Sequence, residues 1–430
     1  MWSWPTITAA LLLLSPGKSF QQCFTTNASS PGIVSEAELS GITDFGLDVY
    51  RHLFSDFGAR NLVYSPYSLW NVLVLTYFGT QGNTQAQMEA ALRIRDKVSA
   101  HEIKKGLDNW YALLQESHPG YYFSVANRIY FDILLNVRPC IRNIFPEELQ
   151  LAYLFNAKST ARYINDFVAK VTNGLIEEIA SPEDVRDSQV VVVNAAAFVG
   201  RWKYEFQAQN NSKMLFQVSP DLSVSVTVMR QLGVFRYGES DDLGARILEL
   251  PYTGEQISMF LFLPHPPQRS PPAGEGEDPL ANMIRNFDGR SLREAIEARN
   301  LDLREVDVAL PKFNFSTEIG HHLEKALKGV GIIDLFDADR ANLTAFTMKR
   351  GLKVTQALHK AFLDVNEEGT EAAAASAVVV SFRSAVGAQD QSVSFHLTEP
   401  FAFLVYDKDT RNPLFAGHVR NPLDLQKTAL

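Results

Sequence analysis

Asp364-Val365-Asn366-Glu367-Glu368-Gly369-Thr370-Glu371-Ala372-Ala373-Ala374-Ala375-Ser376-Ala377-Val378-Val379-Val380 carries two opposed backbone preferences in one stretch. Its start is charged and turn-like, its middle is built of small residues, and its end is β-branched. Alanine has the best intrinsic helix propensity, whereas stiff β-branched valines favour strands. The stretch suits either a short exposed helix or a strand packed inside a sheet, and the residues alone leave both open. As a strand it would place Thr370, Ala372, Ala374, Ser376, Val378 and Val380 on one face. Each of these is small or apolar, so that face would enter a sheet without stranding a charge.

The chain around this stretch has 430 residues, 46% hydrophobic and 21% charged, with a net charge of −9. This is ordinary globular composition with enough length for a large core. The acidic balance gives no basis for general nucleic-acid affinity. Met1 to Ser19 holds an apolar core, Ile7 to Leu14, followed by Ser-Pro-Gly-Lys-Ser. That core is too short to span a bilayer and reads as a secretory signal peptide cleaved after Ser19, although its n-region has no Lys or Arg. No later apolar run would anchor the chain, so a secreted, extracellular protein with no membrane association is expected. There are only two cysteines, Cys23 and Cys140, which would staple the N-terminal tail to the body if they pair. Four glycosylation sequons occur, at Asn27, Asn210, Asn314 and Asn342. Asn27 and Asn210 lie in polar stretches, while Asn314 alternates with Phe313 and Phe315 in a strand-like run.

Apolar residues at helical spacing predict an amphipathic helix through Ile164, Phe167, Val168, Val171, Leu175 and Ile179. Ile319, Leu323, Leu327 and Val330 predict another, with Gly329 and Gly331 as stop signals. Val190 to Val199 is almost continuously apolar, interrupted by Asn194, and reads as a strand covered on both faces. Hairpins are predicted for Arg246 to Pro251 with Ile257 to Leu263, and for Phe401 to Tyr406 with Leu414 to Val419. His265 to Pro279, rich in Pro, Gly and Glu, reads as a surface loop. Helices cluster early and strands later, which implies an α+β domain.

No catalytic signature holds together. The chain lacks a Gly-x-Ser-x-Gly elbow, a His-Glu-x-x-His motif and a phosphate loop. His321 and His322 are adjacent on a predicted helix and diverge too far to make a metal pair. No enzyme activity, cofactor or metal is expected.

The motifs together resemble the serpin family from about Ile42 to Pro422. They are Asn61-Leu-Val-Tyr-Ser65-Pro66-Tyr-Ser68-Leu, Phe78-Gly79-Thr-Gln-Gly82-Asn-Thr84 and Val193-Asn194-Ala-Ala-Ala-Phe198-Val-Gly200-Arg-Trp202. Leu248-Glu-Leu-Pro251-Tyr252, Leu310-Pro311-Lys312-Phe313, His359-Lys360-Ala361, Glu367-Glu-Gly369-Thr-Glu-Ala-Ala-Ala and Pro400-Phe401-Ala-Phe403 follow in order. The resemblance implies three β-sheets, about eight or nine helices and an exposed reactive loop, here about 367–395. With the signal peptide read over 1–19, it leaves a tail over 20–41, a serpin domain over 42–422 and a C-terminal tail over 423–430. It also makes the opening stretch the hinge of that loop, with Glu367, Gly369, Thr370, Ala372, Ala374 and Ser376 as hinge residues.

In inhibitory members a protease cuts the loop, forms an acyl-enzyme, and is dragged as the loop inserts into the main sheet. A bulky or charged hinge would turn the inhibitor into a substrate, and this hinge has small residues on its inward face. Counting Glu367 as the first of seventeen residues ends on Arg383, which places the reactive bond at Arg383-Ser384. The spacing resembles that of antithrombin-like members, with Phe382 replacing a small residue. An arginine at the bond suits trypsin-like proteases, whose buried aspartate pairs with guanidinium. Phe382 as the cleaved residue would instead select chymotrypsin-like proteases. Arg383 as an ordinary solvated loop charge is the bland reading.

By the same resemblance, Ser65, Ser68, Asn194 and His359 lie beneath the opening point of the main sheet, which is held apart around Asn194 and His359 until the strand enters. Trp202 marks the top, where insertion begins. Lys97, Lys104, Lys105, Arg138 and Arg142 lie where some members bind heparin. Here they are sparse and mixed with acids, which weighs against a glycosaminoglycan partner. The expected protein is a glycosylated, monomeric inhibitor that forms a covalent complex with an extracellular trypsin-like serine protease. A non-inhibitory serpin acting as carrier, hormone precursor or chaperone is the alternative.

Overall fold

The computed structural model describes residues 36–117, 120–265, 278–297, 299–367 and 392–426. The signal peptide, Cys23, Asn27, the hinge from Gly369 to Ser376, Phe382 and the Arg383-Ser384 bond lie outside the described residues. So does most of the Pro/Gly-rich loop predicted from His265.

In chain order the elements begin with α1 (Glu36–Phe57), β1 (Leu62–Tyr64), α2 (Pro66–Phe78), α3 (Gly82–Leu92) and α4 (Lys97–Ser117). Next come β2 (Tyr121–Asp132), α5 (Pro139–Ile144), β3 (Leu149–Ala152), α6 (Ala157–Val171), α7 (Pro182–Val185) and β4 (Val190–Gly200). The middle of the chain forms β5 (Ser212–Ser219), β6 (Leu222–Ser240), β7 (Ala245–Pro251) and β8 (Ile257–Pro264). It continues with α8 (Pro279–Arg285), α9 (Gly289–Ile296), β9 (Asp302–Pro311), β10 (Phe313–Glu318) and α10 (His321–Gly329). The last elements are β11 (Gln356–Val365), β12 (Val393–His396), β13 (Phe401–Asp407), β14 (Asn412–Val419) and α11 (Pro422–Gln426). Of the eleven helices among the described residues, α5, α7 and α11 run six residues or fewer. The helix α1 begins at Glu36, inside the stretch assigned to the tail, and α11 ends past the expected boundary at Pro422.

The strands form two hydrogen-bonded networks. One has five strands in the order β10-β11-β4-β2-β3. The other runs β1-β14-β13-β8-β7-β6-β9-β12, with β5 on β6. The expected second and third sheets are joined because the 19-residue β6 belongs to both. Its first part pairs with β5 and its last part with β7, while β9 runs along most of its length. Both predicted hairpins are present, as β7–β8 and β13–β14.

Every residue of β4 is buried. Its alternate side chains Val190, Val192, Ala196 and Phe198 join the main core, whereas Val191, Val193, Ala195 and Ala197 pack beneath α6. Covering both faces explains why the run is apolar without alternation. Ile164 and Val168 of α6 are buried there, but the helix stops before Leu175 and Ile179. The pattern was predicted to continue, yet Asn173 and Gly174 both have positive φ, 50° and 80°, which ends the right-handed helix.

At the centre lies α2, all thirteen of whose residues are buried. Its start is set locally. Ser65 has extended φ/ψ and caps the helix through its hydroxyl, and Pro66 occupies the first turn, where no N–H is needed.

Gly417 faces Val63 in the β1–β14 pair, and a Cβ there would lie 2.1 Å from the Leu62 carbonyl oxygen. Gly417→Ala must push one backbone off another rather than rotate a side chain. We expect a loss of about 1–3 kcal/mol, read as a lower denaturant midpoint at unchanged m-value; an unchanged midpoint would show that β1 yields freely.

Candidate functional site

The two central strands of the five-stranded sheet, β11 and β4, run parallel and stay in register from Gln356↔Val191 to Asp364↔Val199. The sheet is therefore closed along this seam. The expectation that the sheet is held apart around Asn194 and His359 is corrected: the two strands are paired there, and the polar residues tie the closed seam together. One cross-strand row contains His359, Asn194 and Asn127, on β11, β4 and β2.

The geometry assigns each proton in this row. The backbone N–H of Ser65 donates to His359 Nε2 at 3.2 Å, so Nε2 is the acceptor and Nδ1 carries the hydrogen. His359 Nδ1 then donates to Asn194 Oδ1. The Asn194 amide donates both its hydrogens, to Ser68 Oγ and to Asn127 Oδ1. The Ser68 hydroxyl donates onward to Asn127 Oδ1 at 3.3 Å. Ser65 Oγ accepts from the Ser68 N–H at 3.1 Å and donates to the Leu414 carbonyl at 2.7 Å. The cluster thus joins the start of α2, three sheet strands and β14.

All four residues expected beneath the opening point come together here, and all are buried, with His359 at 0% exposure. Burial pushes the imidazole down to about 3, so it stays neutral. Asn127 was missed by sequence reasoning. An asparagine in a strand of mixed buried and half-buried residues gives no signal of its own; only its register opposite Asn194 does.

About 26 Å beyond His359, at roughly 3.3 Å per residue and just past the end of β11, lies a second cluster. Lys312 Nζ donates to Glu367 Oε2 at 2.8 Å, and Asn211 Nδ2 donates to Oε1 at 2.6 Å. The Phe206 N–H donates to the Glu367 carbonyl at 3.1 Å. Burial would raise the Glu367 carboxyl, but the bonds from Lys312 and Asn211 hold it below its ordinary value. Trp202 Nε1 donates to the Asn366 carbonyl at 2.8 Å. Its indole stacks on Tyr252, with centroids 4.4 Å apart and planes 10° from parallel. Trp202 therefore sits at the top of the seam, as expected. Glu367 is the only hinge residue among the described ones, and it is clamped rather than free. Asn211 and Asn366 carried no sequence signal; Lys312 was visible only as part of a motif.

Of the sequons, Asn210 is exposed beside this cluster, whereas Asn314 and Asn342 are half-buried. Cys140, in α5, is disulfide-bonded; its pairing with Cys23 lies outside the described residues. Two of the cations considered for heparin are drawn inward by other partners. Lys104 is buried against Asp108 and Glu148, at 2.6 and 3.6 Å. Lys97 donates to the Phe78 and Thr80 carbonyls, and burial lowers it to about 8. Lys105 and Arg142 are exposed.

Comparison with known proteins fits this geometry. The family model described as Serpin (serine protease inhibitor) matches residues 40–422. The chain is 32% identical over 386 residues to the leukocyte elastase inhibitor of Sus scrofa, covering 88% of this chain and 98% of that one. It is 33% identical over 383 residues to the serine protease inhibitor 42Dd of Drosophila melanogaster, covering 87% and 95%. The crystal structure of uncleaved ovalbumin superposes with a TM-score of 0.76 at 25% identity, covering 90% of this chain and all of that one.

Two outcomes follow from the clusters. Unfolded His359 takes up a proton near 6.5 and the folded residue only near 3, so its contribution is lost as pH falls through that window, at about 1.4 kcal/mol per pH unit. His418, lowered to about 4 mainly by burial, adds to the same slope. We expect His359→Gln to be less stable at neutral pH and to lose about one proton from the slope of stability between pH 4 and 6; an unchanged slope would contradict a neutral buried imidazole. Glu367→Lys sets two lysines together and leaves Asn211 without its acceptor. It should cost about 1–2 kcal/mol and promote self-association on warming, as the loosened seam accepts a strand from another copy. Calorimetry and native gels give the readout, and an unaltered midpoint would count against the clamp.

Proposed function

The chain belongs to the serpin (serine protease inhibitor) family, and we propose that it is a secreted, suicide-substrate inhibitor of trypsin-like serine proteases. Its reactive bond is Arg383-Ser384. The observation that carries this reading is the direction of the two strands at the seam. The chain leaves the C-terminal end of β11 at Glu367 and proceeds directly into the small-residue stretch. A segment that turns back there runs antiparallel to β11. Because β11 and β4 are parallel, it runs antiparallel to β4 as well. Insertion would replace one parallel ladder by two antiparallel ones, which are slightly more stable per residue.

Composition supports the same event. Both faces of the seam are covered, one by the core and the other by α6. An entering strand must therefore present small or apolar side chains, and Thr370, Ala372, Ala374 and Ser376 do so on one face. The protease serine attacks the Arg383 carbonyl, the Ser384 amine leaves, and the ester to Arg383 is carried along as the strand inserts. The Arg383 guanidinium supplies the charge that a trypsin-like pocket pairs with its buried aspartate.

Incubation with trypsin should give a complex that survives boiling in detergent, with a released C-terminal peptide beginning at Ser384. A peptide beginning at Arg383 would assign specificity to Phe382. Cleavage without a complex would favour a carrier, hormone precursor or chaperone. Thr370→Arg and Ala374→Glu should still be cut at the same bond but form no complex, because each must bury an unpaired charge at a cost of several kcal/mol.

Cleavage near Arg383 should also raise the thermal midpoint by more than about 10 °C, equivalent to several kcal/mol for a chain of this size. Equal midpoints before and after cleavage would argue that the sheet never opens.

A further inference from the structure

We propose that Asn210 carries an N-linked glycan that keeps a second copy of this chain away from the Glu367 clamp and the strand edge beside it. The proposal rests on the secreted reading given above, since the sugar is attached in the secretory pathway. The sequon is Asn210-Asn211-Ser212. In the attachment, Asn210 Nδ2 bonds to the anomeric carbon of a lipid-pyrophosphate-linked oligosaccharide. The sugar–phosphate bond breaks, the lipid pyrophosphate leaves, and one amide hydrogen departs as a proton.

Geometry singles out this sequon among those in the described residues. A sugar on the folded chain needs an outward, unengaged carboxamide. Asn210 ends a short turn, Ala208–Asn210, all of which is exposed. Its side chain has no hydrogen bond among the described residues. Asn342, by contrast, is half-buried, and its Oδ1 accepts from the Thr344 hydroxyl at 2.6 Å and the Thr344 N–H at 3.3 Å. Asn314 is half-buried within β10, opposite Asp364 of β11.

Two features beside Asn210 call for cover. Residues 202–211 bank the upper end of the seam: Trp202 donates to the Asn366 carbonyl, the Phe206 N–H to the Glu367 carbonyl, and Asn211 Nδ2 to Glu367 Oε1. Asn211 is half-buried against the clamp, while its neighbour Asn210 faces solvent. The clamp contacts are partly exposed and modest in energy, so they do not by themselves exclude a foreign strand. The second feature is β5, which begins at Ser212 and, among the described strands, pairs only with β6. Its Leu215 is 70% exposed. An edge strand with an exposed leucine invites pairing with another chain, and natural proteins blunt such edges with charge, bulges or cover. A branched, hydrated oligosaccharide at Asn210 supplies that cover for both places. It obstructs a partner the size of this chain, which must arrive from outside. The chain's own small-residue stretch continues directly from Glu367 and need not pass the sugar.

Peptide mapping by mass spectrometry of the full chain secreted from eukaryotic cells should find Asn210 glycosylated. A bare Asn210 beside an occupied Asn27 would overturn this proposal alone, whereas a chain with no sugar at any sequon would overturn the secreted reading with it. The glycosylated protein, the same protein trimmed by peptide-N-glycosidase under native conditions, and Asn210→Gln are then compared without protease. Each is warmed to the same interval below its own unfolding midpoint and followed on native gels. Both sugar-free forms should oligomerise severalfold faster than the glycosylated protein. Ser212→Thr keeps the sequon and should match the glycosylated protein. Equal rates in all forms, or the same acceleration in Asn27→Gln, would show that a sugar at Asn210 guards nothing.

Discussion

The imidazole of His359 holds together parts of the chain that are nearly three hundred residues apart. It accepts from the backbone that starts α2 and donates to an amide on the neighbouring strand. Because β11 and β4 are parallel interior neighbours, this row fixes the seam at which the two parts of the five-stranded sheet meet. A central seam of apolar side chains alone would close equally well in neighbouring registers. The row of His359, Asn194 and Asn127 favours one, since both amide hydrogens and the oxygen of buried Asn194 and both ring nitrogens of His359 are matched, and a slip would leave buried polar groups unpaired. The cost of that specificity is a neutral histidine in a dry site, which ties stability to pH.

The proposed insertion requires a seam that is firm but replaceable. Its polar row is finite, its ladder is the weaker parallel kind, and the chain that emerges from its upper end is poor in bulky side chains. The Glu367 clamp stands where an entering strand would begin to turn. Its contacts are partly exposed, so they are modest in energy and suited to release. The covering helix α6 adds a second condition, because Ile164 and Val168 rest on the face of β4 that a new strand would adjoin. Closure, clamp and cover are separate in sequence and act on the same seam.

Much of the fold was legible in the residues. The unbroken apolar run of β4 announced a strand covered on both faces, the two hairpins were set by turn residues between apolar segments, and Ser65-Pro66 fixed the start of α2. The small-residue stretch after Glu367 left an exposed helix and a buried strand both open. These are local signals, in which spacing and side-chain type act within a few residues. The end of α6 was misjudged because apolar spacing continued through Leu175 and Ile179, while backbone dihedrals at Asn173 and Gly174 decided otherwise. The fusion of the second and third sheets through β6, the closure of the seam, and the roles of Asn127, Asn211 and Lys312 belonged to the tertiary structure. Each depends on which residue lies opposite another across strands distant in the chain, and a hydrogen bond between such residues leaves no periodic trace in either segment.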